Sequence, residues 1–247
     1  MSDARRDLPR KFATTRWSVV LRAGAIDETE ETRQALSELI EIYWYPLYAF
    51  SRRQGQSEHD AMDLTQGFLA HLVGGSGLST VSPEKGRFRS FLLAAFKNFI
   101  ANQRRALDTI RRGGNVTTIS LHASEFESRY EREPAIEETP EILFERSWVE
   151  ELLAHVRVLL AEEYRRAGKE ELYALIEGHL APTDDAIPRA SIGQKLNLSS
   201  AAVSMSIHRM RRRYGEILRQ EVAATLDNPE EVEEELRELM AIIGRGD

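Results

Sequence analysis

Residues 189–218 set apolar side chains at helical spacing on both sides of a three-residue interruption, and few arrangements satisfy that pattern. Ile192 and Leu196 fall on one face of a first helix, Asn197-Leu198-Ser199 breaks it, and Val203, Ile207 and Met210 stand at i, i+4 and i+7 on a second. Two short helices must therefore pack across a tight turn. Ser199 is suited to cap the second helix, and Asn197 stands where glycine is common but tolerates a left-handed backbone. Opposite the inward stripe stand Ser200, Ser204, Met205, His208, Arg209 and Arg212. The segment also concentrates Arg209, Arg211, Arg212, Arg213 and Arg219 in a chain of formal net charge -7, which places positive charge where a polyanion would dock. The plainer alternative is an amphipathic helix with a solvated basic face.

Helical spacing recurs through the rest of the chain, and the one short β-branched run is 116–121. The expected fold class is therefore all-α. With 247 residues, 42% of them apolar and 30% charged, there is material for two small domains. The absence of cysteine excludes disulfides and thiolate chemistry. No stretch approaches about 18 uninterrupted apolar residues and no signal-peptide core precedes the first helix, so the expected location is cytoplasmic, without membrane insertion.

A first helical block is expected from about residue 15 to 112, with helices near 32–54, 58–72 and 88–112. Glycines and serines at 74–82, then Pro83 and Gly86, interrupt it. Residues 124–151 hold ten acids against three arginines and read as an acidic linker running into a helix. That helix should begin at Thr139-Pro140-Glu141, where threonine caps, proline fits the first position and glutamate favours the dipole. The expected domains are 1–113, a linker at 114–138, 139–219, and an acidic extension at 220–247.

A second basic cluster closes the first block. Residues 85–112 carry eight cations and one acid, and Phe88, Phe91, Phe96 and Phe99 are interleaved with them. Cations with nearby rings suit unpaired nucleic acid, although rings at this spacing also describe a core face.

Three ordered motifs resemble the extracytoplasmic-function class of RNA polymerase sigma factors. Asp60-Ala-Met-Asp-Leu-Thr-Gln-Gly-Phe-Leu69 is similar to the polymerase-binding helix of the second sigma domain. Gly86-Arg-Phe-Arg-Ser-Phe-Leu-Leu-Ala-Ala-Phe-Lys-Asn98 is similar to the stretch that melts and reads the minus-ten element. Ser191-Ile-Gly-Gln-Lys-Leu-Asn-Leu-Ser-Ser-Ala-Ala-Val-Ser-Met-Ser-Ile-His-Arg-Met-Arg211 is similar to the fourth-domain helix-turn-helix that reads the minus-thirty-five element. Thr15-Arg-Trp-Ser-Val-Val20, Tyr43-Trp-Tyr-Pro-Leu-Tyr48 and Leu143-Phe-Glu-Arg-Ser-Trp148 resemble a long-chain subgroup with a C-terminal extension.

The resemblance implies a non-enzymatic protein without a cofactor. Its partners would be core RNA polymerase, through the beta and beta-prime subunits, and promoter DNA. Asp60, Asp63, Leu64, Gln66 and Phe68 would face polymerase. Lys97, Asn98, Asn102, Gln103, Arg104 and Arg105 would lie near the opened minus-ten strand, and Ser200, Ser204, Met205, His208, Arg209 and Arg212 near the upstream element. The acidic linker would thread toward the catalytic cleft. An anti-sigma factor or a serine/threonine kinase would be the controlling partner. Met62 and Gly67 stand where glutamate is frequent in the family, so phosphorylation of Thr65 would restore negative charge; the alternative is a tolerated helix-surface residue. The tail, eight acids and two arginines from 227 to 247 with an apolar stripe of Val232, Leu236, Leu239, Met240 and Ile243, either covers the basic DNA-binding surface or completes the core of the last domain. A stand-alone helix-turn-helix regulator, binding DNA without polymerase, is the competing class. An enzyme finds little support: the six histidines lack metal-ligand spacing, and residues 74–77 lack a phosphate-loop lysine.

Overall fold

The computed structural model describes Val20, Leu21, Ala23 and residues 29–74, 78, 81–82, 86–109, 123–133, 138–180, 186–226 and 228–244. The β-branched run 116–121, glycines 75–77, Pro83, Lys85, Arg111, Arg112, His122 and the opening motif up to Val19 lie outside the described residues. All regular structure among the described residues is helical. The helices are α1 (Glu30–Arg53), α2 (Glu58–Gly74), α3 (Phe88–Thr109), α4 (Ala123–Tyr130), α5 (Pro140–Arg166), α6 (Glu170–Ile176), α7 (Arg189–Leu196), α8 (Ser200–Ala223) and α9 (Val232–Ile243). No helix among them is long and apolar enough to cross a membrane.

The chain divides into two compact units, Arg10–Glu151 with Val222–Asp247 in one and Leu152–Glu221 in the other. The boundaries expected at 113 and 138 both fall inside the first unit. The acids expected to make a linker are the reason. Glu127 accepts from Arg52 at 2.9 and 2.5 Å and from the Tyr48 hydroxyl, while Glu133 accepts from the Tyr45 hydroxyl at 2.6 Å. Arg146, itself nearly buried, gathers Glu133 at 2.8 Å, Glu138 at 3.0 Å and Glu150 at 3.3 Å. With these charges answered, Phe126 and Tyr130 pack against Trp44, Tyr45 and Tyr48, and the described residues 123–133 form a helix and turn on α1 rather than a free connection.

Local chemistry accounts for the helix ends. Thr29 caps α1 by accepting from the Thr32 amide at 3.1 Å, and Glu30 and Glu31 sit at the positive end of its dipole. Ser57 does the same for α2 through the Asp60 amide at 3.1 Å. Thr139 caps α5, with Pro140 in the first position, as the sequence predicts. The core of this unit is aromatic: Phe68 and Phe96 meet at 4.9 Å, Phe50 and Phe96 at 5.9 Å, and Tyr43 and Phe88 at 5.6 Å.

The tail belongs to this unit and not to the core of the last domain. Asn228 caps its start by accepting from the Glu230 amide at 3.1 Å, and Leu239 and Glu235 are buried on its inner face. Met240, expected in the apolar stripe, is exposed instead. Glu235 pairs with Arg89 at 2.6 Å and with Arg87, and Glu238 pairs with Arg87 at 2.6 Å. Arg89 is 4% exposed; it also reaches Glu145 at 2.7 Å and lies over the Trp148 ring at 4.6 Å. The tail therefore covers the start of α3.

In the second unit, Leu152, Val156 and Leu160 of α5 are buried, as are Tyr173, Leu175 and Ile176 of α6. Burial pushes the Tyr173 phenol up to about 12, and its hydroxyl donates to the Arg157 carbonyl at 3.2 Å. His155 faces Glu221 at 3.7 Å, both buried. The predicted helix pair forms as α7 and α8. Asn197 adopts φ 54 and ψ 44, and the Leu198 amide closes α7 on the Gly193 carbonyl at 2.9 Å. Ser199 caps α8 through the Ala202 amide at 3.2 Å. Ile192, Val203, Ile207 and Met210 are buried, whereas Leu196 is half-buried.

Three stability outcomes follow from these contacts. A Cβ at Gly193 would meet the Leu198 carbonyl oxygen at 2.8 Å. Gly193→Ala should therefore destabilise the second unit by about 1–3 kcal/mol, while Asn197→Gly stays near neutral and Asn197→Ala costs about 1 kcal/mol, read by chemical denaturation. Arg89→Ala leaves Glu145 without its cation and the buried Glu235 with Arg87 alone, and should cost the first unit about 3–5 kcal/mol by the same measurement. Burial pushes the Glu127 carboxyl up, but the bonds from Arg52 and Tyr48 outweigh it, so the carboxyl titrates below its ordinary value. A depressed folded-state pKa gives stability that is present above the unfolded pKa and is lost as pH falls through the folded one. Glu127→Gln should therefore be less stable at neutral pH and lose less stability on acidification below about pH 5, measured by unfolding across pH 3–7.

Candidate functional site

The face of α8 that the inward stripe leaves free is the site that the sequence points to. At 100° per residue, Ser200, Ser204, Met205, His208 and Arg212 share one side of the helix, and Arg209 lies at its edge. Ser200, Met205, His208, Arg209 and Arg212 are exposed, Met205 at 56%, while Ser204 is half-buried. An exposed methionine between polar neighbours gives this face an apolar contact point alongside its donors. Its arginines differ from one another. Arg212 donates to Glu216 at 3.0 Å, Arg213 holds Glu163 at 2.6 and 2.8 Å, and Arg211 reaches the His179 carbonyl at 2.7 Å. The Arg213 bonds hold the Glu163 carboxyl below its ordinary range, so it remains ionised.

In the first unit, the residues expected to meet nucleic acid line α3. Asn98, Asn102 and Arg105 share one exposed face, with Lys97 and Arg104 beside it. Gln103 does not join them; it follows Phe96 by two turns and falls on the core side, exposed because the core has ended there. Much of the basic excess is answered internally. Lys97 pairs with Glu141 at 2.5 Å, and Arg87 and Arg89 pair with Glu235, Glu238 and Glu145. The charge excess of residues 85–112 is therefore smaller in the fold than in the sequence: acids distant in sequence neutralise Arg87, just before α3, and Arg89 and Lys97 on it. Its rings follow the core alternative, with Phe88 and Phe96 buried and Phe91 and Phe99 half-buried.

On α2, Asp60 and Asp63 are exposed, Asp60 accepting from the Ser57 hydroxyl at 2.6 Å and Asp63 lying 3.6 Å from His59. Leu64 and Gln66 are half-buried. Phe68 is 2% exposed, so it braces this surface from the core and offers no contact of its own. Thr65 is wholly buried and its hydroxyl donates to the Ala61 carbonyl at 2.8 Å. Neither expectation for Thr65, a kinase target or a surface residue, matches that position: a kinase would have to open the helix packing to reach it. The repeat Ala61, Thr65, Phe68, Leu72 carried this signal in the sequence.

Sequence reasoning did not single out Lys169 and Tyr164. Gly168, at φ 67, ends α5 so that the Lys169 amide donates to the Tyr164 carbonyl at 2.9 Å, and both residues line a groove of about 260 Å³ with Ser206 and Arg209. A scan against protein-family models finds no match, and neither curated proteins nor solved structures show a significant similarity to the chain.

Proposed function

We propose that this chain is an initiation factor of the extracytoplasmic-function sigma class, which binds core RNA polymerase and directs it to a promoter. The observation that carries the reading is the helix pair: α7 and α8 joined through a left-handed Asn197, with the α8 face from Ser200 to Arg212 exposed. A helix of this kind reads base edges in a major groove with its first residues and positions itself on phosphates with its cations. Ser200, Ser204, Met205 and His208 take the first role and Arg209 and Arg212 the second. Asp60, Asp63, Leu64 and Gln66 form the polymerase-facing surface of α2, with Phe68 supporting it from beneath. Asn98, Asn102, Arg104 and Arg105 remain the candidates for an opened strand, and the working location is the cytoplasm.

A stand-alone regulator that binds duplex DNA without polymerase is the second reading. It is favoured by the internal neutralisation of Arg87, Arg89 and Lys97, which leaves α3 less suited to a melted strand. Retention of bacterial core polymerase by the purified chain, followed by run-off transcription on genomic fragments, separates the two. Retention with new start sites is expected; duplex binding without retention moves the assignment to the regulator. Asp60→Ala with Asp63→Ala should weaken polymerase retention while leaving duplex affinity unchanged. Met205→Ala should relax sequence preference at the base it touches by about 1 kcal/mol, the scale of one or two buried methylenes, read by binding to a randomised duplex pool.

A further inference from the structure

Arginines on α8 are spoken for in every case but one. Arg211 and Arg219 donate to carbonyls, and Arg212 and Arg213 to the carboxylates of Glu216 and Glu163. Arg209 has neither a carboxylate nor a hydrogen-bond partner among the described residues, and the Lys169 ammonium has none there either. Both line the groove that lies within the second unit between the end of α5, the start of α6 and the flank of α8. Tyr164 supplies a hydroxyl on the same wall, and its ring is held by a tilted contact with Tyr173 at 5.2 Å. The Ser206 hydroxyl proton is used on the Ala202 carbonyl at 2.9 Å, so Ser206 contributes only a lone pair. Glu163 also lines the groove, but its charge is matched by Arg213.

The balance is two unmatched cations and one free hydroxyl around about 260 Å³. That volume lies near the low end of the roughly 300–1,000 Å³ of ligand pockets, which suits a small group. Its cations stand on different elements, a planar guanidinium fork on α8 and a point charge on the turn after α5, and the Tyr164 phenol stands on the last turn of α5. A carboxylate has two oxygens in one plane, whereas a phosphoryl group presents three in a tetrahedron and accepts from all three donors at once.

We propose that this groove binds a phosphoryl group, held by Arg209, Lys169 and the Tyr164 hydroxyl. Two sources carry that chemistry: a free phosphorylated small molecule, or a backbone phosphate of a duplex lying on the adjacent face of α8. The proposal stands on the groove alone and does not require the sigma reading.

The test uses the full chain and two probes. Inorganic phosphate is titrated by calorimetry at constant ionic strength, and duplex affinity is measured as a function of salt, for the wild type, Tyr164→Phe and the double variant Arg209→Gln with Lys169→Gln. A free-ligand site predicts saturable phosphate binding that weakens at least about tenfold in the double variant and about threefold or more in Tyr164→Phe, with the duplex salt slope falling by no more than the ~1 that Arg209 alone accounts for. A backbone-phosphate site predicts that the magnitude of the salt slope falls by about 2 in the double variant, because Lys169 then adds a contact of its own. Phosphate affinity unaltered by the double variant, with a salt slope that falls by no more than that ~1, overturns the proposal. Polymerase retention is scored separately: a chain that ignores polymerase but loses phosphate in the variants sinks the initiation reading and leaves this one standing.

Discussion

The first unit depends on one guanidinium. Arg89 lies at 4% exposure between Glu145 of α5 and Glu235 of α9, with its plane over Trp148, and so ties together three segments that are far apart in the chain. A buried charge is tolerated only where opposite charges and hydrogen bonds replace its water, and removing one partner leaves the others stranded. Glu235 is itself 1% exposed, so its burial is conditional on Arg89 and Arg87. The packing of α9 is set by that condition. An acidic tail with an apolar side could have lain on any basic helix; here Arg87 and Arg89 at the start of α3 pair with Glu235 and Glu238, while Leu239, next to Glu238 in sequence, is buried.

Matching of charge also decides which surfaces remain available. In the first unit Glu127, Glu133, Glu138, Glu141, Glu150 and Glu151 are paired with Arg52, Arg129, Arg146 and Lys97, several of these cations also lying over rings, as Arg129 does on Tyr45 at 3.7 Å. These acids then act as a clamp that fastens α4 and the start of α5 to α1. In the second unit the same rule is only partly applied. Glu163 and Glu216 answer Arg213 and Arg212, and no acid answers Arg209 or Lys169 among the described residues.

Helices, caps and the turn were legible in the sequence because they are local. Thr139-Pro140, Ser199 and Asn228 cap by chemistry that reaches only two or three residues along the chain, and Val203, Ile207 and Met210 repeat with the helix period. Ion pairs carry no such period. Arg89 and Glu145 are separated by 56 positions and Arg52 and Glu127 by 75, so nothing in the string says which acid answers which base. That gap turned a packed helix into an expected linker and made α3 look more basic than it is. Thr65 is a different kind of miss. Its place among Ala61, Phe68 and Leu72 at helical spacing marks it as buried, a local signal that outweighs the family resemblance at this position. Gln103 was misplaced for the same reason, since a run of polar residues on a helix does not share one face.

The two basic clusters therefore rank differently by count and by unmatched charge. Residues 85–112 have the larger formal excess, eight cations less one acid. Yet a cation with a carboxylate at about 2.6 Å presents a phosphate with a dipole, and the field of a dipole fades well inside the ~8–10 Å over which salt screens a full charge. Among the described residues carboxylates answer Arg87, Arg89 and Lys97 in that cluster, and Arg212 and Arg213 on α8 but not Arg209, which stands on the same helix as Ser200, Met205 and His208. A polyanion is drawn to charge that the protein has not already spent, which is why the proposed reading places duplex DNA on the helix pair. The first unit keeps an aromatic core, a clamped α4 and the exposed carboxylates Asp60 and Asp63 on α2, where the proposed reading seats polymerase.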